Sequence, residues 1–545
     1  MSRPDTVEHQ PTISVLTPVY DTDPQILQEC LASVAAQTYT DWEHVLVDDA
    51  SPLDHVWPQL QLAAQQDPRR SVHLSDVNGG IVGASNRALE LARGRIVVLL
   101  DHDDLLAPHA LERIAAAFDA DDDVDYVYSD EDVLLDGERV DPFYKPDWSP
   151  ERFRNQMYTC HVSAFRAELV REVGGFRAEF EGSQDWDLVL RVTERARRIV
   201  HLPEVLYHWR VVPSSVLSGE DVKPYAYESA ARALAAHAER VGLDVEVVEQ
   251  RPRGYFRLVR RHHELPLVSI VIPTRCSSGV VWGAERVMVL EAVRSIVERS
   301  SWTNYEVVAV IDRPHESDRV AHDKVMAELT ELLGDRLVVV DWDRPFNFSE
   351  KCNAGAAAAS GEHLVFLNDD VEVIDGNWLE VLVGFVRESD VGAAGLRLLF
   401  SDGRLQHAGH VLLGGNPGHL MFGLSPVDTA NRMALSLDRE VAGVTAACLA
   451  IRAEVFDEVG AFSVEFAGNY NDVDLCCKLR HLGYRIVVSA QASLYHFESI
   501  TRDPTVGAHE LATLRRRWSH ELHHDPFYSP NFGGYDNYPF PLSYP

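Results

Sequence analysis

The sequence contains the same series of segments twice, and this internal repeat limits the possible folds more than any other feature. Six segments recur in the same order, with an offset that grows from 255 residues (Thr12 and Leu267) to 288 residues (His208 and His496). The repeat is far longer than a solenoid unit of ~20–50 residues. We therefore predict two copies of one domain of roughly 200–230 residues, within the usual size of a single core. The matched segments are Thr12–Tyr20 with Leu267–Arg275, Thr40–Asp49 with Thr303–Asp312, Gly94–Asp104 with Gly361–Val371, Phe165–Phe176 with Ile451–Phe462, Gln184–Val192 with Asn471–Leu479, and Val205–Trp209 with Ser493–Phe497.

Each copy begins with short apolar runs that alternate with an amphipathic segment. In the first copy the runs ISVLTPV and HVLVDD predict buried strands, and the segment between them predicts a helix because its apolar residues recur at helical spacing. Those residues are Ile26, Leu27, Cys30, Leu31 and Val34. A strand, a helix and a strand within this distance form a βαβ unit, so we predict an α/β fold with a mostly parallel sheet. Ligands of such sheets bind beyond the carboxyl ends of the strands.

Acidic residues follow a buried strand in the first copy, and the second copy has a related cluster. The run VVLLDHDDLL places Asp101, Asp103 and Asp104 directly after the strand, and LVFLNDDVEV places Asn368 and Asp370 at matching positions. Carboxylates are the ligands that Mg²⁺ and Mn²⁺ prefer beside a diphosphate. The alternative is an acidic surface turn or a helix N-cap, with Asp104 as the cap. Because the cluster occurs in both copies, we favour a metal and nucleotide site.

A second pair of acidic residues precedes a helical pattern in each copy. Asp185 lies in GSQDWDLVLRV and Asp472 in NYNDVDLCCKLR, each with another Asp two residues later. A helix N-terminus stabilises an ionised carboxylate, and a carboxylate held there can act as a general base. The alternative, N-capping, would use only one of the two acids. His208 and His496 follow in Leu-Tyr-His-aromatic sequences and are candidates for metal or phosphate contact, with a hydrogen-bonded core role as the alternative.

Net charge and cysteine content restrict the partners and the compartment. The chain has 50 Lys and Arg against 84 Asp and Glu, and this formal charge of −34 argues against nucleic acid or an anionic membrane surface as the main partner. The N-terminal residues contain no apolar signal region, and no apolar run approaches the ~20 residues that span a bilayer. The seven cysteines show no metal-type spacing beyond the adjacent Cys476 and Cys477, as expected in a reducing cytoplasm.

These segments resemble glycosyltransferase family 2 domains of the GT-A fold, a Rossmann-like fold of inverting enzymes that use nucleotide-diphosphate sugars. The tandem arrangement is similar to that of bacterial two-domain glycosyltransferases of O-antigen and other surface-polysaccharide synthesis, rhamnosyltransferases among them. The resemblance covers roughly residues 12–535 and is specific for the family and fold but not for the sugar. It is carried by the segments above together with DPFYKPDWSPERF, FNFSEKCNAGAAAASGE, DGRLQHAGHVL and DPFYSPNF.

The resemblance implies a role for the matching residues of each copy. In the first copy Asp185 would be the general base, and the expected donor and metal contacts are Pro18, Tyr20, Asp49 and Asp101 for the donor and Asp103 and His208 for the metal. In the second copy Asp472 would be the general base, and the expected contacts are Pro273, Arg275, Asp312 and Asn368 for the donor and Asp370 and His496 for the metal. The second copy departs from the motif, since Asn368 replaces the first Asp and Arg275 replaces the Tyr. We predict that it is active with a different donor.

The repeats and the resemblance also predict the division of the chain. We expect a first glycosyltransferase domain at residues 12–220, a connector at 221–265, a second glycosyltransferase domain at 266–500, and a helical or extended C-terminal tail at 501–545. The connector is predicted to contain a helix from about Pro224 to Val241 and a short strand pair.

The resemblance implies a metal-dependent inverting glycosyltransferase of the hexosyltransferase type, with two active sites and Mg²⁺ or Mn²⁺ as cofactor. It would move sugars from nucleotide-diphosphate donors to a growing bacterial surface glycan, with an oligosaccharide or lipid-linked acceptor, in the cytoplasm or at the inner face of the cell membrane. The alternative is one active domain beside a glycan-binding or structural domain. A sugar-nucleotide nucleotidyltransferase ranks last, because TPVYDTDP lacks the glycine-rich loop with a basic residue that it would need after the first strand.

Overall fold

The computed structural model describes residues 10–212, 224–427, 430–497, 508–533 and 540–541. Two large sheets correspond to the two sequence copies. The strands of the first copy are β1 Ile13–Val19, β2 Trp42–Asp48, β3 Arg70–Leu74, β4 Ile96–Leu99, β5 Leu105–Leu106, β6 Val124–Leu135, β7 Glu138–Phe143, β8 Ser163–Arg166 and β9 Arg198–Arg210. Its helices are α1 Pro24–Ala35, α2 Val56–Gln66, α3 Gly80–Leu91, α4 Ala110–Ala120, α5 Pro150–Asn155, α6 Ala167–Glu172 and α7 Gln184–Thr193.

The first sheet has the strand order β3-β2-β1-β4-β8-β6-β9-β5, with β7 paired to β6. Strands β1 to β4 pair in parallel, as the predicted βαβ unit requires. Strand β8 is antiparallel to β4 and to β6, which brings the loop before β8 to the edge where β4 ends. The carboxyl ends of β1, β2 and β4 therefore form one edge, where ligands of α/β sheets bind.

Helix α1 shows how the sequence pattern determines the packing. Its start is capped by Asp23, whose side chain accepts hydrogen bonds from the N–H groups of Gln25 and Ile26, and Pro24 occupies the first helical position. Its buried face consists of Leu27, Cys30, Leu31 and Val34, four of the five predicted residues. This face packs on the apolar side chains of the sheet.

The connector forms helix α8 Pro224–Arg240 and a hairpin of β10 Val245–Glu249 and β11 Phe256–Arg260. The observed helix agrees with the helix predicted from about Pro224 to Val241. The helix packs beside α7 of the first copy, and the buried side chains on that side include Ala230, Ala233 and Leu234. The connector is thus part of the packed structure.

The second copy repeats the architecture of the first. Its strands are β12 Val268–Thr274, β13 Ser278–Val281, β14 Ala284–Val287, β15 Tyr305–Asp312, β16 Leu337–Trp342, β17 His363–Leu367, β18 Val371–Val373, β19 Val391–Leu399, β20 Leu405–His407, β21 His410–Leu413, β22 Asn416–His419, β23 Arg439–Glu440, β24 Cys448–Arg452 and β25 Arg485–His496. Its helices are α9 Met288–Arg299, α10 Arg319–Leu333, α11 Phe348–Ala358, α12 Trp378–Val386, α13 Ala430–Met433, α14 Ala453–Glu458 and α15 Asn471–His481. The sheet order β16-β15-β12-β17-β24-β19-β25-β18 matches the first sheet strand for strand.

The repeat extends to individual hydrogen bonds. The Ser14 hydroxyl donates to Glu43 (2.6 Å) and accepts from the Gly94 N–H (2.8 Å), and the same pair of bonds, with the same distances, joins Ser269 to Glu306 and Gly361. The Asn86 side chain pairs with the backbone N–H and C=O of Phe176, as Asn353 does with Phe462. These matches fix which positions of the two copies are equivalent.

A buried group of charges, the interdomain ion cluster, joins the two copies. It consists of Glu151 from the first copy, Arg260 from the connector, and Glu388, Glu440 and Arg485 from the second copy. Arg260 lies 2.8 Å from a Glu151 oxygen and 2.6 Å from a Glu388 oxygen. Arg485 bridges Glu388 (2.9 Å) and Glu440 (2.7 Å), and Glu440 accepts the Glu151 N–H at 3.1 Å.

The tail contributes helix α16 Ala508–Arg517 and the short strands β26 Phe532–Gly533 and β27 Phe540–Pro541. It returns to the first copy, where the Asn531 amide donates to Asp130 (3.1 Å) and to the Pro203 carbonyl (2.8 Å). The Asp147 N–H donates to the Pro526 carbonyl at 2.7 Å. The tail therefore packs on both copies.

Two expectations about the compartment can be compared with the structure. Within the described ranges, no helix combines the length and the apolar composition that crossing a bilayer requires. All seven cysteines are free thiols, and five of them are buried.

Candidate active sites

The acidic cluster of the first copy lies at the carboxyl end of β4, as predicted. Side-chain ligand atoms of Asp101, Asp104 and His161 lie within 4.8 Å of one another. Two carboxylates and an imidazole are a donor set that fits Mg²⁺ or Mn²⁺. His161 comes from the loop before β8, so the strand order brings it to this edge. Sequence analysis did not single out His161.

Asp104 is not a helix N-cap, which corrects one of the sequence alternatives. Helix α4 begins at Ala110, and His109 occupies its N-cap position. The buried Asp104 carboxylate instead accepts the Tyr207 hydroxyl at 2.6 Å and the Arg210 N–H at 2.7 Å. Burial raises its pKa well above the usual carboxyl range, and the charges of Asp103 and Asp101 raise it further.

Of the two predicted metal ligands of the first copy, Asp103 interacts with the charges of this group and His208 pairs with Asp132. Burial raises the pKa of Asp103; the charge of His102 opposes this rise, and the charge of Asp101 adds to it. His208 is opposite Leu105 in the β5–β9 pairing, and its Nδ1 lies 2.6 Å from Asp132 Oδ1. The role of Asp103 and His208 as metal ligands stays a prediction.

His161 is held in place by its neighbours. Its ring stacks on Tyr207 with 4.5 Å between centroids. The backbone N–H of His161 donates to Glu131 at 3.0 Å, and the backbone carbonyl of His161 accepts from the buried Lys145 ammonium at 2.6 Å. Lys145 and Glu131 also form an ion pair of 3.1 Å, so the loop position is fixed by a satisfied buried charge pair.

The predicted bases lie in the first turns of α7 and α15, and the second acid of each pair has a structural role. Asp187, two residues after Asp185, is fully buried and pairs with Arg191 and Arg177. Asp474, two residues after Asp472, is fully buried and accepts from Arg517, the last residue of helix α16, and from Trp518, which follows that helix. N-capping is not the role of Asp185, since Ser183 occupies the N-cap position of α7.

The predicted donor residues of the first copy follow β1 and β2. Asp49 is buried, and both of its carboxylate oxygens accept the Gly79 N–H, at 2.9 and 3.1 Å. Tyr20 is 44% exposed and directly follows β1, whose last residues include Pro18. The glycine segment that holds Asp49 leads into α3, and Gly80 there has a φ of +71° that favours glycine.

The second copy has a cavity of ≈ 720 Å³ at the matching edge of its sheet. Six of the seven residues predicted for the second site line it, and they are Pro273, Arg275, Asn368, Asp370, Asp472 and His496. The seventh, Asp312, is joined to the cavity through Lys351, whose ammonium lies 2.6 Å from Asp312 Oδ1.

The Asn368 and Asp370 side chains converge on one imidazole. His496 Nε2 lies 3.3 Å from Asp370 Oδ1 and 3.3 Å from Asn368 Nδ2. Asp369 lies between them in sequence and accepts the Thr274 hydroxyl at 2.6 Å. Burial, together with the charge of Asp370, raises the pKa of Asp369 to about 6. The carboxylates and His496 are again ligand types suited to Mg²⁺ or Mn²⁺.

Lys351 gives the second site a positive charge that the first site has at no equivalent position. It lies on α11 two residues before Asn353, and the residue two before Asn86 in the first copy is the buried Ala84. The Lys351 ammonium also donates to the Thr274 carbonyl at 3.1 Å. Sequence analysis missed Lys351 because a single basic residue in a helix gives no signal.

Three histidines form a group at the cavity of the second copy, which we call the histidine wall. His410 on β21 and His419 on β22 line the cavity, and His407 on β20 packs against both. The ring centroids are 4.9 to 5.1 Å apart. The Thr445 N–H donates to His407 Nε2 at 3.2 Å, so His407 carries its proton on Nδ1 and donates it to His419 Nδ1 at 2.7 Å. Because both His407 nitrogens are occupied in this way, the group is a hydrogen-bonded wall rather than a set of metal ligands.

The two predicted bases have opposite pKa shifts. Burial raises the pKa of Asp185, and the Trp186 N–H and the charge of His161 oppose this only in part. Burial also acts to raise the pKa of Asp472, but its interaction with His410 and the Ala446 N–H outweigh burial and hold that pKa well below the usual carboxyl range. The sites thus share a framework and differ in electrostatics.

Comparison with known proteins identifies the family. The model of glycosyl transferase family 2 matches residues 14–174 and 269–460, one match in each copy. The chain therefore belongs to glycosyl transferase family 2, and its fold is α/β with two tandem GT-A domains, as the resemblance implied.

Two curated relatives match nearly the whole chain. The chain is 40% identical to the uncharacterized protein y4gI of Sinorhizobium fredii, over 96% of this chain and 58% of that protein. It is 37% identical to the O-antigen biosynthesis protein RfbC of Myxococcus xanthus, over 91% of this chain and 38% of that protein. The chain thus spans less than two thirds of the length of either relative. A solved structure of S. aureus TarS 1-349 in complex with UDP-GlcNAc is 23% identical over 42% of this chain and 66% of that chain, with a TM-score of 0.36.

Proposed function

We propose that the chain is a metal-dependent inverting glycosyltransferase with two active sites, which transfers sugars from nucleotide-diphosphate donors to a growing bacterial surface glycan. The observation that carries this proposal is the cavity of the second copy. Asp370 of the acidic motif, His496, and Asp472 in the first turn of α15 all line it. The interactions of Asp185 with the charges of His161 and Asp101 at the matching edge of the first sheet support a site there as well. The O-antigen name of one relative supports a surface glycan as product.

The proposed chemistry assigns a distinct step to each group. Asp185 or Asp472 takes the proton of the acceptor hydroxyl, whose oxygen attacks the anomeric carbon of the donor. The bond to the nucleoside diphosphate breaks on the opposite face, so the anomeric configuration inverts in one displacement. A divalent ion, Mg²⁺ or Mn²⁺, would neutralise charge on the departing diphosphate. In the first site Asp103 and His208 would hold it, with Asp101 and His161 as further candidate ligands.

Asp370 and His496 would hold the ion in the second site, and we propose that this site uses a different donor. Arg275 stands where the first copy has Tyr20, and Lys351 stands where it has Ala84. Lys351 adds a positive charge beside the predicted donor residue Asp312, and Arg275 adds one to the lining of the cavity. A donor with more negative charge or a different hydrogen-bonding pattern than that of the first site would fit this environment.

The remaining assignments follow from the family rather than from the site. We propose that the transferase acts in the cytoplasm or at the inner face of the membrane, on an oligosaccharide or lipid-linked acceptor. We propose peripheral membrane association, through a partner or a lipid-linked acceptor. We also retain the predicted domain ranges, 12–220 and 266–500, as the units that carry the two sites.

The test is sugar transfer and donor hydrolysis by the purified chain with Mg²⁺ or Mn²⁺, across a panel of nucleotide sugars. Wild type is compared with Asp103→Ala and Asp370→Ala. We expect each variant to lose turnover of a different donor by at least about a hundredfold, as loss of a metal ligand removes the charge stabilisation of the leaving group.

Asp402→Ala is the matched control, because Asp402 is an exposed aspartate of the second copy that pairs with Arg404 at the surface. It should keep both activities. If Asp370→Ala changes nothing while Asp103→Ala abolishes all turnover, the second domain is a binding or structural domain and the two-site proposal is wrong.

A further inference from the structure

His410 lies beside the candidate base of the second site and is fixed there by the backbone around it. Its Nε2 is 3.6 Å from Asp472 Oδ2, and both residues line the cavity. The backbone N–H of His410 donates to the Gly443 carbonyl at 2.7 Å. A Cβ on Gly443 would lie 3.1 Å from His410 Cδ2 and 3.0 Å from Cys476 Cβ, closer than side chains normally pack. The absence of a side chain at Gly443 therefore leaves the room that the imidazole occupies.

The ionisable groups around His410 come from three elements. Asp472 faces it from α15, His407 from β20 and His419 from β22, and Cys476 on α15 packs nearby as a buried thiol. Burial lowers the pKa of His407 well below its usual range and that of His419 to about 3, so both are neutral at physiological pH. Asp472 is therefore the charged neighbour of His410.

We propose that His410 is a positioning residue for transfer in the second site, which keeps Asp472 ionised and holds its carboxylate toward the acceptor. This inference rests on the proposed function of the second site. The Ala446 N–H donates to the same oxygen, Oδ2, at 3.1 Å, and the Val473 N–H donates to Oδ1 at 2.9 Å. Asp472 then accepts the proton of the acceptor hydroxyl as the new bond to the anomeric carbon forms and the nucleoside diphosphate leaves.

The first site obtains its imidazole from a different position in the fold. The charge of His161 acts on Asp185, and His161 lies five residues before Arg166 of β8. The matching residue of the second copy, five before Arg452, is Ala447. In the second site the imidazole beside the candidate base therefore comes from His410 in the β21–β22 hairpin, and not from the loop before β24. The sequence repeat does not reveal this difference, because His161 and His410 do not lie at matching positions of the two copies.

The test is the pH dependence of second-site transfer in the full chain carrying His410→Gln, measured between about pH 5 and 9 where carboxylates and imidazoles titrate. Without the imidazole, burial dominates and the carboxyl pKa rises, so Asp472 is protonated at a higher pH. In the wild type the low pKa of Asp472 places the acid limb of kcat below this range, and we expect His410→Gln to bring the limb up into the range. The rate at the acidic end should fall at least about tenfold, and most of it should return at high pH, with an unchanged donor KM.

Two controls separate positioning from a general loss of structure. Turnover of the first-site donor is measured in the same protein and should keep its pH profile. His363→Gln removes another buried imidazole of the second sheet, at the first residue of β17 and so at the end of that strand remote from the site, and it should not move the limb. If His410→Gln has a lower melting temperature than His363→Gln, His410→Asn provides the same comparison, with donor binding as the check that the cavity is intact.

Three results would overturn the inference. The first is an equal loss of kcat at every pH with an unmoved acid limb, which would give His410 a packing role only. The second is stoichiometric Zn²⁺ binding that is lost in His410→Gln, which would assign the imidazole to a metal. The third is full turnover of the second-site donor by Asp370→Ala, which would show that the proposed second site does not exist. If Asp370→Ala is inactive and the acid limb of His410→Gln still does not move, only the role of His410 is wrong.

Discussion

Equivalent positions of the two sites hold residues with different chemistry. Tyr20 corresponds to Arg275, Ala84 to Lys351, and His161 to Ala447, while the framework hydrogen bonds around Ser14 and Ser269 have kept their lengths. The framework needs its bonds to fold, whereas the residues at the strand ends are free to change with the substrate. The differences between the copies are therefore the best guide to donor and acceptor choice.

The opposite pKa shifts of the two bases predict different pH profiles. Burial raises the pKa of Asp185, so on acidification Asp185 takes up a proton first, while Asp472 stays ionised to a lower pH because of His410. A general base acts only when deprotonated. We expect the acid limb of kcat/KM to lie at a higher pH for the first site than for the second.

The measurement uses one working site at a time. First-site transfer is followed in Asp370→Ala and second-site transfer in Asp103→Ala, each with saturating Mn²⁺ and its own donor. Coincident acid limbs, or a first-site limb at the lower pH, would contradict the assignment of the two bases.

At the scale of single elements, helices α7 and α15 use the same two-acid pattern for two purposes. The first acid is the predicted base, and the second holds the helix in place. Asp187 ties α7 to Arg177 and, within the helix, to Arg191, which also donates to the carbonyls of Val173 and Gly175. In the second copy Asp474 instead receives Arg517 from α16. The same sequence position thus anchors the helix to its own domain in one copy and to the tail in the other.

Removal of the anchoring charge should destabilise the first domain. Asp187→Asn leaves Arg191 buried without its counter-charge, a change that typically costs about 3–5 kcal/mol. We expect calorimetry to show a lower midpoint temperature for the first unfolding transition. The matched control is Asp123→Asn, which removes an exposed partner of Arg197 and should leave the transition in place. An equal shift in both variants would show that Asp187 is not an anchor.

Patterns that repeat could be predicted from the sequence, and features built by a single copy could not. The strands that precede Asp101 and Asn368, the helices that carry Asp185 and Asp472, and the connector helix lie where apolar periodicity placed them. His161 and Lys351 were missed because neither has a counterpart in the other copy. The histidine wall depends on the β21–β22 pairing, which sets His410 opposite His419, and no local pattern specifies that register.

At the scale of the whole molecule, the interdomain ion cluster makes the two copies one packed unit. Glu151 is completely buried, and burial alone would raise its pKa, yet Arg260 and Arg154 hold that pKa at about 2. A carboxylate in this position stays charged only while its cations are in place. The connector strand β11 supplies the central cation, Arg260, and so determines how the copies meet.

Loss of that cation should loosen the pair of domains. In Arg260→Ala, Glu151 and Glu388 lose a shared buried partner, and we expect destabilisation on the order of 3 kcal/mol together with a larger radius of gyration in solution scattering. Arg261→Ala is the control, because the neighbouring Arg261 pairs with Asp244 at the surface. Unchanged scattering and stability in Arg260→Ala would show that the remaining contacts are sufficient.

The contact of Asn531 with Asp130 also has a consequence for synthesis. The ribosome makes the first sheet long before it reaches Asn531, and at ~5–20 residues per second the delay after residue 210 is roughly 15–60 s. During that time Asp130 and the Pro203 carbonyl lack the amide that later binds them. A nascent chain that stalls within the second copy therefore keeps a first domain whose Asp130 and Pro203 carbonyl have not yet received the Asn531 amide.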